Sequence, residues 1–381
     1  MEDVAIVGVG QSNFSRKCGV SVRELAFEAY KEAITGLDIT NKDIDTSVVC
    51  TSQYDKQRSP EAEVSDYLNL NPSPTFSIEN ACGASSTGLR VAWSFIKSGL
   101  YEIVAVIGLE KMSGQNSREV AEIMGRAYDV MWESPFGLTM PGGYAMHARA
   151  HMTKYGTTEE HLAKIRVKNS FYGAKNPKAA YKKPLSLEEI LASNVIATPL
   201  KMLDCCANAD GASCLIMARG DIAKKIARVP IWIMGLGAAS DTSLSEREAY
   251  TGLRCAQVAA KTAYKMAGVG PKDIDVAEVH DCFTIAEMMA YEDLGFAKPG
   301  EGPALIDAKQ TYADGKIPVN VDGGLLSKGH PVGATGGSQL RTIVMQLRGE
   351  AGESQVKNAE IGLTHNVGGV GHYCNVTILR R

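Results

Sequence analysis

The chain has 381 residues, enough for two core units rather than one. Its 40 Lys and Arg stand against 43 Asp and Glu, a formal charge of -3, which argues against a general role on nucleic acid or a membrane surface. The apolar runs are short, the start MEDVAIVGVG carries acids where a secretory leader carries bases, and the nine cysteines include no C-x-x-C pair; the expectation is a cytoplasmic protein with reduced thiols and neither a disulfide framework nor a zinc site.

VAIVGVGQS (4–12) predicts a buried strand running into a Gly turn. SVRELAFEAYKEAI (21–34) predicts a helix with Leu25, Ala26, Ala29, Tyr30 and Ile34 on one face. Strands are expected at TSVVCTS (46–52) and TFSIEN (75–80), then a helix over SSTGLRVAWSFIKSG (85–99) and a strand at EIVAVIGLE (102–110).

From 229 the pattern returns. VPIWIMGLGAAS again places an apolar run before G-x-G, and GLRCAQVAAKTAYKMAG follows as a helix. Lys-Asp-Ile-Asp recurs at 272–275 after its first copy at 42–45, the strand VAEVHDC follows, and GATGGSQLRTIVMQLRGE precedes the strand AEIGLTHN. This shared order indicates an internal duplication and an α/β architecture of two similar β-α-β-α-β halves, 1–225 and 226–381. The segment 111–203 falls outside the repeat and reads as an insertion in the first half. Between Arg149 and Lys183 it carries nine Lys and Arg against Glu159 and Glu160, either a solvated face or a seat for a phosphorylated ligand.

Four strings carry candidate chemistry. In ENACGASS, Cys82 falls on a strand-to-helix turn among small residues, where unpaired N–H groups and the helix dipole favour a thiolate; the alternative is a small core cysteine. His280 in EVHDCFTIAE, His330 in VDGGLLSKGHPVGATGG and His365 in GLTHNVGGVG sit at strand ends followed by small or polar residues, as site loops often are. His147, His151, His161 and His372 are expected to be structural or superficial.

ENACGASS, HDCFTIAE, NVDGGLLSKGHPVGATGG and HNVGGVG, in that order, resemble the thiolases over nearly the whole chain, above all the sterol-carrier-protein type and the archaeal acetoacetyl-CoA enzymes. The resemblance implies a duplicated thiolase fold, stacked in layers, with an inserted loop domain. It implies Cys82 as nucleophile and His330 as its base, with His330 also stabilising the enolate oxygen of the second acyl-CoA together with a water held by His280. It further implies an oxyanion hole from the N–H groups of Cys82 and Gly369. Many thiolases keep a second cysteine in a C-terminal Cys-x-Gly string, where this chain has THNVGG; the resemblance therefore assigns the acid/base role to Cys282 of His-Asp-Cys-Phe, with Cys374 as competitor and His365 either supporting or shaping the loop. LTMPGGYAMHARAHMTKYG resembles the loop lining the pantetheine tunnel, giving Met140, Lys178, Lys182, Lys183 and Ser240 as expected coenzyme A contacts. Cys205, Cys206 and Cys214 in DCCANADGASC are expected to be structural thiols.

The implied reaction is reversible Claisen condensation of two acetyl-CoA to acetoacetyl-CoA, with coenzyme A as substrate and product and with no metal or redox cofactor. The implied partners are a second copy in a homodimer or dimer of dimers, a 3-hydroxy-3-methylglutaryl-CoA synthase and a small zinc-ribbon acyl-CoA-binding protein, in isoprenoid synthesis by the mevalonate route. Rival readings are a degradative 3-ketoacyl-CoA thiolase for longer chains, a ketoacyl synthase and a non-catalytic acyl-CoA or lipid scaffold.

Overall fold

The computed structural model describes residues 3–52 and 58–381; Met1 and Glu2 of the acidic start lie outside the described residues. The first half runs β1 (Val4–Gln11), α1 (Val22–Ile34), β2 (Thr46–Cys50), α2 (Pro60–Tyr67), β3 (Thr75–Ile78), α3 (Ala84–Lys97) and β4 (Ile103–Glu110). The insertion follows as α4 (Ser117–Gly125), α5 (Met140–Tyr155), α6 (Glu159–Lys175), α7 (Leu187–Leu191) and the small hairpin β5 (Val195–Ala197) and β6 (Leu200–Lys201), before β7 (Gly211–Arg219) and α8 (Gly220–Ile226) return to the core. The second half is β8 (Ile231–Ser240), α9 (Arg254–Ala267), β9 (Val276–Glu278), α10 (Thr284–Asp293), α11 (Gly302–Asp307), α12 (Gly324–Lys328), α13 (Thr335–Arg348), β10 (Ile361–Gly368) and β11 (Tyr373–Arg380).

The strands order as β3-β2-β4-β7-β1-β8-β11-β10-β9. Apart from the extra edge strand β3, this order reads the same from both ends once each strand is matched to its repeat: β2 with β9, β4 with β10, β7 with β11, β1 with β8. The halves join at the centre through only two residue pairs, Ala5 with Trp232 and Ile6 with Ile231. Helix α1 covers β1, β7 and β4, and α9 covers β8 and β11. Their counterparts α3 and α13 pack on each other, and α13 touches β9 and β10 of its own half as well as β1, β4 and β7 of the other. Helices therefore lie outside and between the two half-sheets, which gives five layers, with one apolar cluster under α1, one around α3 and α13, and one under α9 that continues into the insertion.

Two local expectations change. The G-x-G pairs are not turns, because both strands run straight through them. A Cβ on Gly10 would lie 2.0 Å from the Ala29 carbonyl oxygen, and one on Gly237 would lie 1.8 Å from that of Ala259, so these glycines let α1 and α9 lie directly on their strands. The basic insertion is also not a solvated face throughout. Arg166 and Lys168 on α6 are buried; Arg166 donates to the Leu326 carbonyl, and Lys168 pairs with Glu287 of α10 and donates to the Val319 carbonyl.

Candidate active site

The residue before the candidate nucleophile is strained. Ala81 has φ +42°, in the left-handed region that residues with a Cβ avoid, and a single 3-10 turn (Ala81–Gly83) then leads into α3. This sharp corner sets Cys82 at the N-terminal end of a middle-layer helix. The opposing arm is its repeat: α12, Gly329, His330, Pro331, a 3-10 turn (Val332–Ala334), then α13. The two 3-10 turns touch each other. Close approach is possible because Gly336 has no side chain; a Cβ there would lie 2.8 Å from the backbone nitrogen of Ser86.

At that meeting point Nε2 of His330 is 3.3 Å from Sγ of Cys82. Nδ1 of His330 is 2.7 Å from Oγ1 of Thr335, whose hydroxyl donates to the Pro331 carbonyl at 2.9 Å. The single Thr335 proton being committed there, its oxygen accepts from Nδ1–H. Nε2 is then the bare nitrogen facing sulfur, the tautomer that a base requires.

His280 has the opposite tautomer. Nδ2 of Asn366 donates to His280 Nδ1 at 3.2 Å, which places the ring proton on Nε2, an atom with no partner among the described residues. The two imidazoles meet edge to face with centroids 5.2 Å apart, and Sγ of Cys82 and one nitrogen of each ring lie within 4.8 Å of one another. His365 stands behind, its Nδ1 accepting from the His280 N–H at 3.4 Å.

Cys82 occupies the neck between two spaces. An outer vestibule of about 770 Å³ and an inner cavity of about 210 Å³ share Cys82, Met124, Met140 and Gly369. The inner cavity is further lined by Cys282, His280, His330, Tyr144, Phe283 and Asn208 among others. A thioester carbonyl at Sγ would thus leave a long chain in the vestibule and a short acyl group inside.

A family model described as Thiolase, N-terminal domain matches residues 4–221, and one described as Thiolase C-terminal domain-like matches residues 237–381. The chain is a thiolase. This thiolase, an acyltransferase enzyme, is 39% identical over 385 residues to an acetyl-CoA acetyltransferase of Methanothermobacter thermautotrophicus, with 100% of both chains covered. It is 34% identical over 382 residues to sterol carrier protein 2 of Oryctolagus cuniculus, covering 96% of this chain and 70% of that relative. Among solved structures, one titled "Ltp2-ChsH2(DUF35) aldolase" superposes with a TM-score of 0.88 at 27% identity, covering 100% of this chain and 98% of the other. Human mitochondrial 3-ketoacyl-CoA thiolase superposes at 0.75 with 17% identity over 100% and 98% of the two chains, a likeness of fold alone.

The thiolase does not hold Cys82 as a ready thiolate. Burial pushes its pKa up to about 12, although the backbone N–H groups of Gly369 and of Cys82 itself face the sulfur and pull the other way. The expected helix-dipole effect is real in sign, but loss of water around the sulfur outweighs it. Burial likewise holds His330 down at about 4. The resting pair is a neutral thiol beside a neutral imidazole.

Several site expectations are relocated. Lys178 pairs with Glu32 beside α1, Lys182 donates to the Pro177 carbonyl, and Lys183 pairs with Glu189; none lines either space. Ser240 is exposed at the end of β8, opposite Tyr373 in register, and lines neither space. Among the described residues, the charged side chains at the vestibule wall are Glu79, Glu119, Glu122 and Arg126, so the insertion's lysines are not its lining. Met140 does line both spaces, as the first residue of a helix rather than part of a loop. Cys374 is buried in β11 beside Cys255 and away from both spaces.

Sequence reasoning missed the strip Cys205–Asn208. Cys205 bridges Phe283 and Asn208 bridges His330; the Cys206 N–H donates to the Cys282 carbonyl at 2.9 Å and the His330 N–H to the Ala207 carbonyl at 3.2 Å. This strip sets the register between the acid/base candidate and the base. Cys205 and Cys206 line the inner cavity, whereas Cys214 is a core thiol of β7.

Proposed function

We propose that this thiolase joins two acetyl-CoA molecules reversibly into acetoacetyl-CoA and coenzyme A. The observation that carries the reading is the bare Nε2 of His330, 3.3 Å from Cys82 Sγ, at the neck of an inner space of only about 210 Å³ that also holds Cys282. Such a volume favours short acyl groups over the longer chains of a degradative thiolase. The name of the archaeal acetyl-CoA acetyltransferase relative agrees with this choice.

In the first half-reaction His330 Nε2 takes the Cys82 proton as sulfur bonds the thioester carbon, and the N–H groups of Cys82 and Gly369 receive the oxyanion. Collapse expels the coenzyme A sulfur, which takes that proton from His330. In the second, the Cys282 sulfur acts as the thiolate, a form that burial disfavours by raising its pKa, and removes an α-proton from another acetyl-CoA whose thioester oxygen is served by the His280 Nε2–H, directly or through a water. The α-carbon bonds the acetyl carbon, the bond to Cys82 breaks, and the negative charge passes from Cys282 to Cys82. One proton returning from Cys282 to Cys82 restores the enzyme. No step calls on a metal or a redox group.

Dimerisation, association with a 3-hydroxy-3-methylglutaryl-CoA synthase and a small zinc-ribbon protein, and a cytoplasmic place in mevalonate synthesis belong to the same proposal. They rest on resemblance; among the described residues no helix is long and apolar enough to cross a membrane. The test is incubation with acetyl-CoA followed by peptide mass spectrometry. Acetylation confined to Cys82, retained in Cys282→Ala while condensation is lost, is expected. Absence of any acyl-enzyme in the intact protein would favour a binding scaffold, and normal condensation by Cys282→Ala with loss in Cys374→Ala would move the acid/base role.

A further inference from the structure

Tyr144 falls in the string that resembles the tunnel-lining loop, where the resemblance assigns it no role, yet it is 1% exposed and lines the inner cavity beside Cys82, Cys282 and Gly369. Helix α5 delivers it, and its ring lies flat on Phe283, centroids 4.6 Å apart and planes 26° from parallel. The stack fixes the ring on the residue that follows Cys282, so the hydroxyl and the Cys282 sulfur line one cavity, where the hydroxyl draws the Cys282 pKa down against the burial that raises it. Its other neighbour is the Gly369 carbonyl oxygen at 3.4 Å.

That bond is long for an O–H donor, where about 2.7 Å is usual. A buried phenol would ordinarily find a shorter one, since a poorly satisfied buried hydroxyl costs stability. The hydroxyl instead sits between a weakly held carbonyl and a sulfur that must carry negative charge during turnover. We infer that Tyr144 is a further catalytic residue, whose O–H turns from the Gly369 carbonyl to the Cys282 sulfur and stabilises that sulfur as the thiolate that removes the α-proton. The inference rests on the assignment of Cys282 as acid/base.

The balance is simple. Tyr144 keeps its own proton throughout, and burial, which raises its pKa, keeps it a donor. The α-proton goes to Cys282, the electron pair of the broken C–H bond forms the new C–C bond, and Cys82 leaves with the pair of its C–S bond. An anion in this mostly apolar cavity has few other donors, and a hydrogen bond to a charged acceptor is about twice as strong as a neutral one. The contact also links the two half-reactions, because the carbonyl released belongs to the residue whose N–H faces Cys82.

Tyr144→Phe keeps the stack and removes only the oxygen. Single-turnover release of coenzyme A from acetyl-CoA, which reports acylation of Cys82, is expected within about twofold of the parent. Condensation from the pre-formed acetyl-enzyme is expected to fall roughly 10- to 100-fold, and its rise with pH to move about one unit higher. Condensation at the parent rate overturns the inference; so does an equal loss in both half-reactions with an unmoved pH profile, which marks a structural role. Cys282→Ala, assayed alongside, separates the two levels: normal condensation by that variant removes the Cys282 assignment itself, whereas a dead Cys282→Ala beside a normal Tyr144→Phe removes Tyr144 alone.

Discussion

Thr335 Oγ1 lies 2.7 Å from Nδ1 of His330 and thereby decides which of that ring's nitrogens is the base. Because the hydroxyl proton goes to Pro331, Thr335 only accepts, and the lone pair is turned onto Cys82. His280, whose Nδ1 instead meets a donor, presents a proton to the same cavity. Two identical side chains thus take opposite parts through their second nitrogens.

Thr335→Val removes the acceptor at nearly constant volume. Coenzyme A release in a single turnover should slow roughly 10-fold or more, with acetyl-CoA affinity little changed. Thr335→Ser, which keeps the oxygen, should recover most of the rate; failure of the serine variant to do so would assign the loss to packing.

Stability should fall in mild acid. Unfolded imidazoles titrate near 6.5, while burial holds His147 and His330 at about 4 and His365 at about 3 in the folded protein. Protons therefore favour the unfolded chain. The contribution of these rings is whole above pH 6.5 and shrinks as pH drops towards 4, by about 2 kcal/mol per ring between pH 7 and 5. Urea melts at the two pH values measure it, and His147→Gln, which touches neither cavity, should reduce the difference.

The insertion's lysines divide into internal and superficial. Lys168→Met leaves Glu287 buried without its partner and should cost about 3–5 kcal/mol, with the Michaelis constant for acetyl-CoA unchanged in whatever folds. Lys182→Glu with Lys183→Glu should change neither stability nor that constant appreciably. Arg126→Glu, at the vestibule wall, should raise the constant several-fold.

Gly237→Ala tests the reading of the G-x-G pairs. Its Cβ must displace the Ala259 carbonyl from 1.8 Å, so a loss of roughly 1–3 kcal/mol or more is expected in a thermal melt. Gly114→Ala, where a Cβ meets nothing within 4 Å, should be nearly neutral.

Much of this was legible in one dimension because the duplication repeats strings, because Cys82 and His330 sit among small residues that mark a loop near a core strand, and because His280 and Cys282 follow an apolar strand. The remainder needed folding. Lys168 looks like free positive charge until Glu287, 119 positions later, is brought beside it. Tyr144 and Asn208 lie in strings whose resemblance points to a tunnel-lining loop and to structural thiols, and nothing in the letters marks these two side chains before the cavity forms. The glycines of β1 and β8 were misread because a glycine that yields to a helix and one that bends a strand leave the same letter. The thiol's charge state was misjudged because a turn announces itself in sequence, whereas the depth at which it is buried does not.

The proposed nucleophile and its proposed base are borne on matching arms of the two repeats, 248 positions apart. A growing polypeptide leaving the ribosome therefore exposes the sulfur long before any imidazole can act on it. Until the later repeat has been made and has docked, residue 82 is an ordinary exposed thiol with neither the His330 ring nor the Gly369 N–H beside it, so the proposed chemistry waits on the docking of the two halves.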